Sequence, residues 1–495
     1  MSSNWKKYLG VFVPLGIVVA APLLLRDTDS QISSKSELRL EVITPHNEMI
    51  RREFGEAFTR WYQKEKGKDV YVNWRTPGGT SEIKRVLDGA FEAAEERGSE
   101  GIGIDLFFGG GEYDFSSQAR QKRFQKLTIF ETHPEYFGED QIPQTLGGEK
   151  YYDPDLTWVG TCLSSYGICY NTDSLARRGL EPPTKWEDLG DPSYEKGIAL
   201  ADPTKSGSVA KAFEMLIQQQ IHQELEKGTA REEAASIGWT KGINLIQRIT
   251  ANAKYFTDSS AKPPRDVAQG NAAAAGMVID FYGRSFNESL AKEDGSSRLQ
   301  FTNPEGGSSI SVDPVAILKG APNLELAQDF VRFVLSTEGQ MIWNGRPGAG
   351  ELGPRYRGLR RLPIRRDLYK EPYLGMMTDP DVRPYEMANR FYYDSSLTGH
   401  LFTPLRNIIR VMCIDTHEEM KSAWAALIEA DFPKEATAAF FDVTPVSYEA
   451  SATEIRPILK FKDKVKAVQL ANRLGKYFRT NYAKAERLAK DYSDE

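Results

Sequence analysis

The sequence predicts an α/β protein of two lobes with a mainly helical part added at its C-terminal end. Three observations carry this expectation. Strand-like and helix-like segments alternate between Leu38 and Gly111, as a largely parallel sheet covered by helices requires. A second alternating stretch occupies 159–303. Each stretch contains a Gly/Ser/Thr turn that joins a short strand to a helix: Thr76-Pro77-Gly78-Gly79-Thr80-Ser81 in the first, Ala201-Asp202-Pro203-Thr204-Lys205-Ser206-Gly207-Ser208 in the second.

Leu38–Ile43 alternates apolar and polar residues and reads as the first strand. Thr44-Pro45-His46-Asn47 turns the chain into a helix from Glu48, with Ile50, Phe54, Phe58 and Trp61 at helical spacing. Val70–Trp74 is the second strand and Glu82–Ala93 the second helix. Asp105–Phe108 is a third strand that runs into Gly109-Gly110-Gly111. The region 112–158 is expected to cross towards the second lobe. There Trp158–Tyr170 is β-rich, Gly197–Ala201 is a strand, and helices cover Ala210–Gln223 and Glu232–Ala253. Ala274–Asp280 is a buried strand that ends in Phe281-Tyr282-Gly283-Arg284. Ser309–Leu318 then returns as a strand interrupted by Pro314, and Asn323–Ser336 is a helix; 304–370 thus rejoins the first lobe. Residues 371–495 form the helical extension, with helices over Leu401–Met412, Ser422–Glu429 and Lys464–Lys490. Arg355–Arg366 holds six arginines in twelve residues; a docking strip and a solvated or salt-bridged loop are the two readings, the second preferred.

A chain of 495 residues with 40% hydrophobic and 27% charged residues has room for two or three domains with real cores. A net charge of −6 gives no reason to expect nucleic acid as a partner. Cys162, Cys169 and Cys413 make neither a disulfide framework nor a metal spacing and read as buried thiols. Lys6 and Lys7 precede an apolar run, Leu9–Leu25, that would reach ~26 Å as a helix. Residues 1–26 are therefore a signal peptide or an uncleaved anchor, the anchor being favoured, and 27–37 a polar tether. The body of the chain is expected outside the cytoplasm, tethered to the inner membrane by residues 9–25.

The turns matter because a strand–turn–helix junction aims free N–H groups outward, and the helix dipole adds positive potential there. Two of them, one per lobe, suggest lobes closing on one polar or anionic small molecule; a plain N-cap is the alternative for each. Neither is a phosphate-binding P-loop, since Gly-x-x-x-x-Gly-Lys-Ser/Thr is missing.

Thr44-Pro45-His46-Asn47-Glu48, Asp105–Gly111, Tyr166–Thr172, Ala201-Asp202-Pro203 with Ser206-Gly207-Ser208, Gly276–Gly283, Asp313–Leu318 and Ser336–Gln340 follow one another in order over Leu38–Tyr369. In this series the chain resembles the extracellular solute-binding proteins of bacterial ABC importers. The branch is the one with ferric-ion, phosphoglycerate, hexose-phosphate and aminoethylphosphonate receptors. The resemblance implies a two-lobed periplasmic-binding-protein fold of type II, an ABC permease as partner, no cofactor and no catalysis. Hinges are expected near Gly111–Trp158 and Asn303–Asp313. It also implies a cleft lined by Thr44, His46, Asn47, Gly78, Gly79, Thr80, Ser81, Gly110, Gly111, Ser206, Gly207, Ser208, Asp280, Tyr282 and, as a phosphate partner, Arg284. His46 has an alternative role as cap of the helix from Glu48.

Ferric receptors of that branch present two adjacent tyrosines, whereas Phe281-Tyr282 offers one phenolate. Iron is therefore demoted below an anionic organic ligand, a phosphate ester or phosphonate. Other readings are a ligand sensor for a membrane kinase and, less favoured, a hydrolase. No Gly-x-Ser-x-Gly elbow or His-Glu-x-x-His site supports an enzyme.

Overall fold

The computed structural model describes residues 38–270, 273–348, 352–460 and 463–493. The expected anchor, Leu9–Leu25, and tether lie outside the described residues. No described helix is long and apolar enough to cross a membrane.

The first lobe begins as the alternation demands. Strand β1 (Leu38–Ile43) leads through Asn47, whose side chain accepts from the Ile50 amide, into α1 (Glu48–Lys66). Strand β2 (Val70–Arg75) leads to α2 (Thr80–Glu96), and β3 (Leu106–Phe108) to α3 (Glu112–Arg120). Strands β2 and β3 flank β1 in parallel. The helix expected over Glu82–Ala93 is thus longer at both ends. Ile50, Phe54 and Phe58 are buried as their spacing predicts and meet Phe330 and Phe333 of a later helix.

The chain changes lobe later than expected. Strand β4 (Trp158–Ser164) belongs to the first sheet, where it pairs antiparallel with β10 (Ser311–Ile317). Strand β5 (Tyr166–Asn171) opens the second sheet. The boundary is therefore Ser165, not the segment before residue 159. The β-rich run Trp158–Tyr170 holds two strands of different sheets, joined with no Gly or Pro to mark the break. The second lobe continues with β6 (Ile198–Ala201), α4 (Gly207–Glu226), α5 (Arg231–Ala251), β7 (Ala253–Thr257), β8 (Ala275–Ile279), α6 (Asp280–Ser289) and β9 (Leu299–Thr302). Its sheet order is β9-β5-β8-β6-β7, with β6 parallel to β7 and β8. The chain returns through Asn303–Ile310 into β10, followed by α7 (Leu324–Leu335) and α8 (Thr337–Asn344). A two-residue strand, β11 (Leu362–Pro363), completes the first sheet in the order β11-β4-β10-β3-β1-β2.

From about Pro384 the chain is helical. Its longer helices are α9 (Phe402–Ile409), α10 (His417–Glu429), α11 (Lys434–Phe440) and α12 (Lys464–Ser493). They are not an appendage. Trp424, Phe440, Phe478 and Tyr482 share one apolar cluster with Phe213, Trp239 and Ile246 of α4 and α5. To reach that core the chain passes between lobes a third time, for Ala388 still packs in the first core and Phe391 in the second. All three cysteines are buried and free.

The arginine strip is folded in from Arg360 onward, while Arg355 and Arg357 are exposed. Arg360 pairs with Glu288 and Asp379, Arg365 with Asp367, and Arg361 lies beneath the interlobe cleft, 2% exposed. The salt-bridged reading therefore holds for much of the strip, but Arg361 and Arg365 are buried, not surface, residues.

Candidate functional site

A cleft of about 690 Å³ lies between the lobes. At its rim the two turns singled out in the sequence touch each other. A methyl group on Gly79 would stand 2.8 Å from the Lys205 carbonyl oxygen, and one on Gly207 2.9 Å from Thr80 Oγ1. The lobes are thus closed, and glycine at both places is what lets the backbones meet.

Helix N-termini point into the space below. Helices α2 and α3 start from Gly79 and Gly111, and no side chain caps either. Their first amides have no intrahelical carbonyl to bond and carry the positive end of the helix dipole. On the other lobe Ser206 caps α4, accepting from the Val209 amide at 3.3 Å, and its hydroxyl lies 3.1 Å from that of Ser208. Behind these turns Gly109 and Gly110 have φ of 85° and 125°, where side chains are strained. A methyl on Gly109 would lie 2.3 Å from the His46 ring, and one on Gly110 2.6 Å from Thr80 Cγ2. These glycines let the turns after β1 and β2 crowd against the end of β3.

The floor is built from charge. Pro314 has no N–H to give to the ladder, and the β4–β10 register shifts between Asp313 and Pro314. Asp313 lines the cleft, where Arg361 Nη1 meets its Oδ2 at 2.7 Å. Arg361 also donates to Ser164 Oγ at 2.8 Å and lies 4.5 Å over the Phe281 ring. Burial alone would raise the Asp313 carboxyl, but the Arg361 guanidinium beside it holds it below the usual carboxylate range. Burial lowers His46, whose Nε2 stands 3.6 Å from Asp313 Oδ2, so the imidazole is neutral at pH 7. Neither ring nitrogen has a hydrogen-bond partner, although the ring is packed edge-on against Phe108 and Trp343.

A second charged group lines the cleft. Lys211 Nζ lies 3.2 Å from both Glu149 Oε1 and Glu214 Oε2 and 3.4 Å from the centre of the Tyr393 ring. Burial works against its charge, but the two carboxylates raise Lys211 well above its ordinary value. Burial raises Glu149 even so, with Ser309 donating to it at 2.6 Å. Other carboxylates at the cleft are engaged: Glu82 with Arg85 at 2.6 Å and Asp258 with Lys262 at 2.7 Å. Asp114 is the exception. Burial pushes it up to about 6, and its Oδ1 has no partner.

Of the residues expected at the site, His46, Asn47, Gly78, Gly79, Thr80, Gly110, Gly111, Ser206, Gly207, Ser208 and Tyr282 line the cleft. The cap of α1 is Asn47, so His46 does not play that part. Four others lie away from the lining. Thr44 is buried and accepts from the His46 amide; Ser81 is held by Arg406 of α9. Asp280 and Arg284 pair with each other at 2.9 Å, and Arg284 further donates to the Arg360 carbonyl. Arg284 thus spends its charge one helical turn beyond the cleft edge.

Sequence reasoning missed Lys211, Glu149, Asp313, Arg361 and Phe402. Lys211 had a signal: it sits four residues after Gly207, on the same face of the helix that the turn opens. Asp313 is placed by the sheet bulge, Arg361 by β11, Glu149 by the Thr145–Lys150 hairpin and Phe402 by the third passage between lobes.

Residues 104–348 match the model of the bacterial extracellular solute-binding proteins. Over these residues the chain is similar to that family. The phosphoglycerate transport regulatory protein PgtC of Salmonella typhimurium is 28% identical over 218 residues, 44% of this chain and 46% of that protein. The major ferric iron-binding protein of Neisseria meningitidis serogroup A is 26% identical over 184 residues, 37% of this chain and 49% of that protein. The chain spans about half the length of these curated relatives. Among solved structures, the periplasmic binding protein AfuA from Actinobacillus pleuropneumoniae, with fructose-6-phosphate bound, superposes with a TM-score of 0.51. It is 18% identical and covers 77% of this chain and 99% of its own. That likeness establishes the two-lobed solute-binding fold, and the helical extension stands outside the family match.

Proposed function

We propose that the protein is an extracytoplasmic receptor that captures a small anionic organic molecule between its lobes and delivers it to an ABC permease in the inner membrane. The observation that carries this reading is the closed cleft into which uncapped helix N-termini of α2 and α3 point. Lys211 and Arg361 add N–H donors to the same space, their charges being met by Glu149, Glu214 and Asp313. A phosphate ester or phosphonate is the ligand class these donors suit, because three-oxygen anions take several N–H bonds at once. The names of PgtC and of sugar-phosphate-bound AfuA support the same class. A periplasmic location with a tether at residues 9–25 belongs to this reading, as does the absence of catalysis, since the relatives are transport and binding proteins.

Ferric ion is the second reading, favoured by the Neisseria relative. Against it, no group of three or more His, Cys, Asp or Glu among the described residues is arranged to hold a metal ion. A thermal-shift screen with fructose 6-phosphate, phosphoglycerate, aminoethylphosphonate, dicarboxylates, inorganic phosphate and ferric citrate separates them. A ligand at 100 times its Kd adds about 2.7 kcal/mol. Stabilisation by a phosphate-bearing organic molecule is expected; stabilisation by ferric citrate alone would replace this reading with the second.

A further inference from the structure

The helical extension meets the ligand cleft directly at the first turns of α9. Phe402 lines the cleft and packs against Tyr113 of α3, ring centres 4.8 Å apart. The Tyr113 hydroxyl is 3.0 Å from Thr403 Oγ1. One turn on, Arg406 lies half-buried between the two turns that close the rim. Its Nε donates to the Pro203 carbonyl at 2.7 Å and its Nη2 to the Thr204 carbonyl at 2.8 Å, both on the second lobe. The same Nη2 donates to Ser81 Oγ on the first lobe. Meanwhile Leu401, Leu405, Ile408 and Ile409 anchor α9 in the core of the second lobe. One helix is therefore rooted in one lobe and hydrogen bonded to the other, at the mouth of the cleft.

We propose that the extension is a third component of the binding site: Phe402 forms one wall of the cleft, and Arg406 with Thr403 clasps the two lobes together without ligand. The physical case is the balance of contacts. Across the mouth the lobes meet through glycine-lined backbone, which supplies little apolar area to hold them. The guanidinium contributes charge-assisted bonds in a water-poor setting, where such bonds are stronger than at the surface. An aromatic wall from Phe402 and Tyr113 also means that the enclosed molecule has a body beyond its anionic group. This last point rests on the receptor reading; the clasp does not.

The test uses the full chain without ligand. Exposed Lys68 and Glu181, one on each lobe, are changed to cysteine and spin-labelled; the native thiols are buried and stay unlabelled. Double electron–electron resonance then reads the distance between lobes. The clasp predicts one short distance in the parent protein and a second, longer-distance population in Arg406→Ala. The double variant Ser81→Ala/Tyr113→Phe leaves α9 whole and removes only its first-lobe partners, so it should shift in the same direction by less. Circular dichroism checks that each variant is folded. An unchanged distance distribution in both folded variants, or a parent protein already open, would overturn the clasp. Because no ligand is present, a wrong ligand class in the receptor reading would leave this result untouched.

Discussion

The rim and the floor of the cleft are made in different ways. The rim consists of strand–turn–helix junctions in which glycine, serine and threonine sit next to one another in sequence and expose backbone amides. The floor consists of Arg361, Asp313, His46, Lys211 and Glu149, side chains drawn from segments up to hundreds of residues apart. A local motif can be replaced piece by piece at modest cost. A buried charge cluster cannot, since removing one member strands the others.

Arg361→Ala should have the largest effect. It leaves the Asp313 carboxylate buried without its partner and should destabilise the fold by roughly 3–5 kcal/mol in chemical denaturation. Joining Arg361→Met with Asp313→Leu should recover most of that loss. If the single change proves harmless, the floor is no more demanding than the rim.

Asp114 gives the next effect. Its folded value of about 6 lies above the ordinary 3.8, so between these values the folded protein holds a proton that the unfolded chain gives up. Stability therefore falls as pH rises through that window and stays lowered above it. Asp114→Asn removes the cost, adding about 3 kcal/mol at pH 7.5 and almost nothing near pH 4. Thermal melts across this range read the difference directly.

The rim should behave the other way, changing binding and sparing stability. Gly79 has φ of −70°, which alanine adopts freely, but its added methyl would push the Lys205 carbonyl away and hold the lobes apart. Gly79→Ala should weaken the ligand found by the thermal-shift screen at least tenfold, about 1.4 kcal/mol, while hardly moving the melting point of the free protein. Thr80→Ala and Ser208→Ala each remove one hydroxyl and should cost about 1 kcal/mol of binding in calorimetry. Equal losses of stability in these variants would erase the distinction.

The same division explains what could be read in the chain. The elements from β1 to β3, then β6, α4, α5, β8, β10 and α7, both turns and the helical extension were legible, because each rests on spacing within some twenty residues; α3, β7, α6 and β9 were not read as elements. The break at Ser165 was not, for the two serines there interrupt an otherwise β-rich run too briefly to mark a change of sheet. Arg284 was mistaken for a cleft cation because it follows β8, yet Asp280, one helical turn back, captures it. Arg361 was hidden inside a run of arginines whose members look alike until β11 sets one of them beneath the sheet.

The third passage of the chain between lobes has a mechanical consequence. Two bodies joined by a pair of neighbouring strands can bend about them and also twist. Here the Thr145–Lys150 hairpin has a passage on either side: Ser309 bonds to its Glu149, and the Tyr393 amide to its Gly147 carbonyl. A third covalent link at that place resists torsion more than bending. Any opening of the lobes would thereby be guided towards a single swing that brings the two rim turns back to the same register.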